Sequence, residues 1–103
     1  METVLRALAA PTRREIIRLV RRRELSAGQI ASHFDVSRPA ISQHLTVLRA
    51  AGLVSERRAG NRRLYRTRPQ ALAEVRRFIE EFWIDHLAGL KTAAEAEERG
   101  ARP

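Results

Sequence analysis

The run SRPAISQHLTVLRAAGLV, from Ser37 to Val54, holds one side-chain amide, Gln43, close to the hydroxyls of Ser42 and Thr46. An amide offers a donor and an acceptor side by side. That pair matches the N6/N7 edge of adenine, and a Ser or Thr hydroxyl can bond to either kind of base edge. Wound as a helix, the run puts Ile41, Leu45 and Leu48 on one face, at the i, i+4, i+7 spacing of a buried stripe. Pro39, Gln43 and Thr46 fall on the opposite side, with Ser42 beside them and Arg38 and Arg49 along one flank. The outward side is slim, as a helix must be to enter a DNA major groove. Ser37 is expected to cap the helix, where its hydroxyl and the first-turn amides can also meet a phosphate. Arg38 is expected to clamp phosphate rather than read a base, and Arg49 either to join it or to stay solvated. His44 borders the apolar face; packing is its first expected role and a DNA contact its second.

A second group of residues carries charge rather than readout. Arg57, Arg58, Arg62 and Arg63, followed by Arg66 and Arg68, flank the short stretch Ala59-Gly60-Asn61. Gly and Asn tolerate the positive φ of a tight turn, so a two-stranded hairpin is expected over Leu53–Arg58 and Arg62–Thr67. Such a wing can lie on the DNA backbone or reach a narrow minor groove, where arginine is favoured. Strand alternation must send some of these arginines away from DNA. Tyr65 is expected to pack on the hairpin root. The net charge of the chain is +8, with 20 Lys and Arg against 12 Asp and Glu. It is densest over residues 53–69, which hold six arginines and one acid, and turns slightly negative from residue 70 on. A polyanionic partner accounts for both the surplus and its placement.

These groups need a scaffold. Residues 2–9 are expected to form a short helix with Val4, Leu5 and Leu8 on one face. Pro11 opens a second, because its missing N–H is not needed in a first turn; Ile16, Ile17, Leu19 and Val20 are its apolar set. Ser26 and Gln29 in SAGQ form a capping box for a third, ending near Asp35, with Val36 turned to the core. The helix from Ser37 ends at Gly52, with Leu53 as the hydrophobic partner of the cap. Two short helices, the second strongly capped, make a helix-turn-helix. The expected fold is mainly α with a small β-hairpin, in one domain over residues 1–94. A polar, frayed tail is expected over 95–103.

A long last helix, from 70 to about 97, has Leu72, Val75, Phe78, Ile79, Phe82, Trp83, Leu87 and Leu90 on an arc too wide for one small domain to cover. Leaving large apolar side chains wet forgoes about 1.5–3 kcal/mol each. Val4, Leu5, Leu8, Val75, Phe78, Ile79, Phe82, Trp83 and Leu87 are therefore the expected homodimer interface. A two-fold axis would set two reading helices about one DNA turn apart, or a small multiple of it. The chain has no cysteine, which excludes disulfides and thiol chemistry. It shows no nucleophile–base pair, no Gly-rich phosphate loop and no convergent carboxylates, so no enzyme is expected. Without an apolar leader or an 18-residue apolar run, no membrane partner is expected and a cytoplasmic location is.

The segments ALAAPTRREIIRLV (Ala7–Val20), LSAGQIASHFDVSRPAISQHLTVLRAAGLV (Leu25–Val54) and RRAGNRRLYRTRP (Arg57–Pro69) resemble the ArsR/SmtB-type winged-helix regulators, over roughly residues 3–90. The resemblance implies a dimeric winged helix-turn-helix with its recognition helix at Ser37–Ala50, its wing at Val54–Thr67 and its dimer interface on the first and last helices. It also implies repression of a nearby operon, with autorepression as one form. Many members release DNA on binding a metal. The cysteine pair of one sensor type is missing from ELSAGQI here. In the other type, D-x-H on the last helix binds metal, whereas here Asp85 and His86 are adjacent and Leu87 stands in the histidine's place. The chain thus resembles the branch without metal ligands, and no metal or cofactor is expected. Two alternatives stay open: a protein-interaction winged helix without specific DNA binding, and a repressor answering to a small molecule or an atypical metal site. A small-molecule pocket would fit beside Phe82, Trp83 and His86; the effector itself is unknown.

Overall fold

Helix starts are set by side chains that the sequence places where backbone N–H groups lack partners. In the computed structural model of the chain, which describes the backbone of residues 1–101 and the side chains of residues 1–97, five α-helices and three strands form among the described residues, and the side chains of Ser26 and Ser37 cap two of the helix starts. Helix α1 spans Glu2–Leu8 and α2 spans Pro11–Leu19, with Pro11 in its first turn. Two arginines of α2 close the end of α1. Arg13 donates from Nε to the Ala7 carbonyl at 2.7 Å and from Nη2 to the Arg6 carbonyl at 3.0 Å, and Arg14 donates to the Leu8 carbonyl at 2.6 Å. Carbonyls in the last turn of a helix, which lack a full set of intrahelical partners, thus gain donors from the next element.

The capping box forms as expected. The Gln29 N–H donates to Ser26 Oγ at 3.2 Å and the Ser26 N–H to Gln29 Oε1 at 2.9 Å. It opens α3 (Ala27–Ala31), which is shorter than expected: turns replace the helix before Asp35. Val36 is 43% exposed, so the connection does not turn it into the core. Helix α4 (Arg38–Ala50) begins at Ser37, whose Oγ accepts from the Ala40 N–H at 3.3 Å. It ends in a Schellman motif: Leu53 N–H to Leu48 carbonyl and Gly52 N–H to Arg49 carbonyl, each 2.9 Å. Gly52 has φ +74°, which a side chain would strain. Leu48 and Leu53, the hydrophobic pair of the motif, are fully buried.

Strand β2 (Val54–Ala59) and strand β3 (Arg62–Thr67) form the expected hairpin around Gly60 and Asn61, in register from Val54↔Thr67 to Ala59↔Arg62. Only Gly60, at φ +62°, takes the left-handed conformation; Asn61 does not need it. The expectation of two strands is incomplete. Leu25–Ser26 is a third strand, β1, antiparallel to β3 with Leu25 opposite Tyr65. The sheet order is β1-β3-β2. Two residues are too few to show alternation, and Ser26 reads in the sequence only as a cap.

The chain divides into two units, residues 1–73 and the stretch from Glu74 on. The core of the first is Ala7, Ile16, Val20, Leu25, Ile30, Ile41, Leu45, Leu48, Leu53 and Val54, with Tyr65 over the sheet. The end of β3 is pinned to α2, where Thr67 donates through Oγ1 to the Ile17 carbonyl (2.7 Å) and through N–H to the Val20 carbonyl (3.1 Å). A 3₁₀ turn at Pro69–Leu72 closes this unit. Helix α5 runs Ala73–Ala101, starting three residues later than expected. The polar residues from Glu95 continue it to Ala101, and the remainder of the expected tail, 102–103, lies outside the described residues. Phe78 and Phe82 meet edge to face with ring centroids 5.0 Å apart.

Candidate nucleic-acid interface

Helix α4 presents the two faces that its spacing requires. Ile41, Leu45 and Leu48 are at most 1% exposed, whereas Ser42, Gln43, Thr46 and Arg49 are on the surface. The Gln43 side chain makes no hydrogen bond among the described residues; its amide group is open to an outside partner. Thr46 Oγ1 donates back to the Ser42 carbonyl at 3.0 Å, which leaves its oxygen lone pairs and methyl outward. Val47 was not singled out in the sequence. It lies four residues from Gln43, on the same side, and is 38% exposed. Its exposure on a face otherwise made of small and polar residues is the signal that marks it.

The N-terminal half of α4 and the hairpin tip enclose a cleft of about 380 Å³, lined by Ser26, Ala27, Arg38, Ser42, Asn61, Arg62, Arg63 and Tyr65. Three guanidiniums therefore converge beside the helix that carries Gln43. Arg38 and Pro39 are exposed at the helix start. Alternation splits the four wing arginines. Arg58 and Arg63 are cross-strand neighbours on the face that carries Glu56 and Tyr65, and Arg57 and Arg62 belong to the other. Arg57 is engaged within the chain, with Nε 2.6 Å from Glu24 Oε2, and Arg62 Nη2 donates to Ser26 Oγ at 3.3 Å.

Glu56 is the acid at the centre of this basic surface. One carboxylate oxygen is 2.9 Å from Arg49 Nη1 on α4; the other is 3.5 Å from Arg63 Nη1 on β3. Oε2 is closed to solvent and the Arg49 N–H is not aligned with it, so that contact is an ion pair without a linear hydrogen bond. Tyr65, opposite Glu56 in the ladder, is buried. Burial pushes its phenol pKa up, and the hydrogen bond and negative charge of Glu56 add to the shift. Arg49 and Arg63 are thus expected residues that the structure brings together. Their shared anchor has no sequence signal beyond being the one acid in an arginine run.

His44 takes the packing position. It is half-buried, and Arg13 Nη1 lies 3.3 Å from its Nδ1. Arginine can only donate, so Nδ1 accepts and the ring proton sits on Nε2. Burial, and then the Arg13 charge, lower its pKa from the ordinary value.

On α5, Phe78, Ile79, Phe82, Trp83 and Leu87 are 45–63% exposed, as are Ile84 and Leu90. Leu5 of α1 is 41% exposed and Leu8 half-buried. Val4 and Val75 are 9% exposed, already buried in this chain, and have little surface left for a partner. Among the described residues no three His, Asp or Glu side chains group as a metal site. None of the described helices is long and apolar enough to cross a membrane.

Comparisons with known proteins agree with this arrangement. The sequence profile described as "Bacterial regulatory protein, arsR family" matches residues 10–56, from the start of α2 into β2. The HTH-type transcriptional regulator Rv2034 of Mycobacterium tuberculosis is 43% identical over 91 residues, 88% of this chain and 85% of that protein. The structure of an ArsR-like transcriptional regulator from Rhodococcus sp. RHA1 superposes with a TM-score of 0.76 at 36% identity, covering 92% of this chain and 90% of that one. A homodimeric winged helix-turn-helix DNA-binding domain from Mycobacterium bovis gives a TM-score of 0.65 at 29% identity, covering 84% and 80%. With its two-faced fourth helix, its arginine-bearing hairpin and relatives matched over most of their length, the chain belongs to the ArsR family of winged helix-turn-helix, DNA-binding transcriptional regulators, which are not enzymes.

Proposed function

We propose that the protein is a homodimeric, sequence-specific repressor that binds a palindromic operator in double-stranded DNA in the cytoplasm, its own promoter included among the targets. The observation that carries this is the open face of α4: the Gln43 side chain is exposed on the side away from the buried leucine face, next in sequence to Ser42, which lines the arginine-bearing cleft. In this reading Gln43 pairs with adenine, Ser42 and Thr46 bond to neighbouring base edges, and the Val47 methyls pack on a thymine methyl. Ser37, Arg38 and Pro39 meet the backbone at the start of α4. Arg49, Arg58, Arg62 and Arg63 neutralise phosphates, as does Arg57 once it leaves Glu24. His44 holds the helix in place from inside. Leu5, Leu8, Phe78, Ile79, Phe82, Trp83 and Leu87 cover one another across a two-fold axis. The homodimeric Mycobacterium bovis relative supports the pairing. Bound over a promoter, such a dimer excludes the polymerase.

Selection of bound duplexes from a random pool at physiological salt tests the reading. A two-fold symmetric site with half-sites about ten base pairs apart, or a multiple of that, is expected, with transcription from a promoter carrying it falling on addition of protein. Enrichment of no sequence sinks the specific reading and leaves the protein-interaction alternative. Activation of transcription would reverse the sign.

A further inference from the structure

An acid among phosphate-binding arginines repels the ligand they bind, so Glu56 needs a reason to be there. The geometry points to Glu56 as a positioning residue for DNA contact: its carboxylate holds Arg49 of α4 and Arg63 of β3 in one ion-paired cluster that fixes the reading helix against the wing. This inference rests on the DNA-binding reading above. The two pairs come from different elements, at 2.9 and 3.5 Å, so a single carboxylate spans the gap between them. Tyr65 backs it from the adjacent strand, across the Glu56↔Tyr65 pair. The Glu56 side chain is 17% exposed, while those of Arg49 and Arg63 are 50% and 63% exposed. The acid is therefore covered and the cations remain open outward. A guanidinium has five N–H donors. One contact to Glu56 leaves most of them for phosphate. Two flexible side chains ordered in advance lose less freedom when DNA arrives.

Charge alone and positioning predict opposite signs. Glu56→Gln removes a negative charge, which by Coulomb attraction should tighten DNA binding. If Glu56 positions the arginines, the same variant binds about five- to tenfold more weakly. Its log Kd against log salt slope then falls by about one to two phosphate contacts. Affinity is measured by fluorescence anisotropy of the full chain on the selected duplex and on an unrelated duplex at low salt, with thermal unfolding followed in parallel. Arg49→Ala is then made in both backgrounds. It should cost less in the Glu56→Gln protein than in the wild type; equal costs overturn the inference, as does tighter binding by Glu56→Gln with an undiminished slope. Glu56→Asp, which keeps the charge but shortens the reach to the two arginines, should weaken binding in the same direction by a smaller factor, and gives the answer even if Glu56→Gln does not fold; unchanged affinity and slope in a folded Glu56→Asp protein overturn the inference. Backbone contacts do not depend on sequence, so the unrelated duplex tests Glu56 even if the wild type selects no operator. That result would sink the specific-repressor reading alone.

Discussion

Helices α4 and α5 are both two-faced, and they dispose of their apolar faces in opposite ways. In α4 the leucine face is sealed and the polar face is outside; in α5 large aromatic and aliphatic side chains stay on the surface, Phe82 and Ile84 at 63% and Trp83 at 60%. A helix in water owes most of its stability to the packing of its apolar face. Helix α4 finds that packing within residues 1–73. Helix α5, with seven large apolar side chains exposed, presents a patch of the kind that marks an interaction surface. The lesson is that exposure means different things on the two helices: on α4 it falls on the polar face of a helix whose apolar face is sealed, on α5 on the apolar face itself, which the proposed function assigns to DNA reading and to association respectively.

The largest effect is expected from putting charge on the α5 face. Trp83→Glu should convert the dimer to a species of the single-chain mass, 11.7 kDa, in sedimentation, and weaken operator binding by at least a hundredfold as the second reading head is lost. A dimer that survives the substitution would break the contrast, because α5 would then be exposed without associating. The next effect sets the two faces of α4 against each other. Gln43→Ala should cost about 1–3 kcal/mol in discrimination between the selected site and one with its adenine replaced, with the urea midpoint unchanged. Leu48→Ala should cost about 2–5 kcal/mol in unfolding free energy, since it also removes the hydrophobic pair of the Schellman motif. Equal losses of stability from both would show that Gln43 is not an outward reader. The smallest effect concerns His44. Its folded pKa lies below the unfolded value of about 6.5. Above that value both states are neutral and nothing changes. As pH falls through it the unfolded chain takes up the proton first, so stability declines and levels off below the folded pKa. Melting temperatures from pH 8 down to 5 should show this decline, and His44→Gln should make it shallower.

Where a residue's partner is close in sequence, the structure could be read in advance. Ser26 with Gln29, Ser37 with Ala40 and Leu53 with Leu48 are all contacts over a few residues, and each forms as its residue types require. The outward polar face of α4 follows from helix periodicity in the same way. What was not legible depends on distant partners. Strand β1 exists because Leu25 meets Tyr65, forty positions on. Glu56 gains its place from Arg49 and Arg63 on separate elements. Val36 looked like a core residue by type, but the shortened α3 leaves it on the surface. Nor does composition divide the wing arginines; only the ladder register shows which share a face with Glu56.

The Arg13 side chain joins two helices other than its own. It grips two carbonyls at the end of α1 and the imidazole of α4 with one rigid planar group. Arg13→Ala would therefore uncover the carbonyls at the end of α1 and remove the donor to His44 Nδ1 in the same step, so one side chain stitches the first helix to the fourth at a point one residue from Gln43.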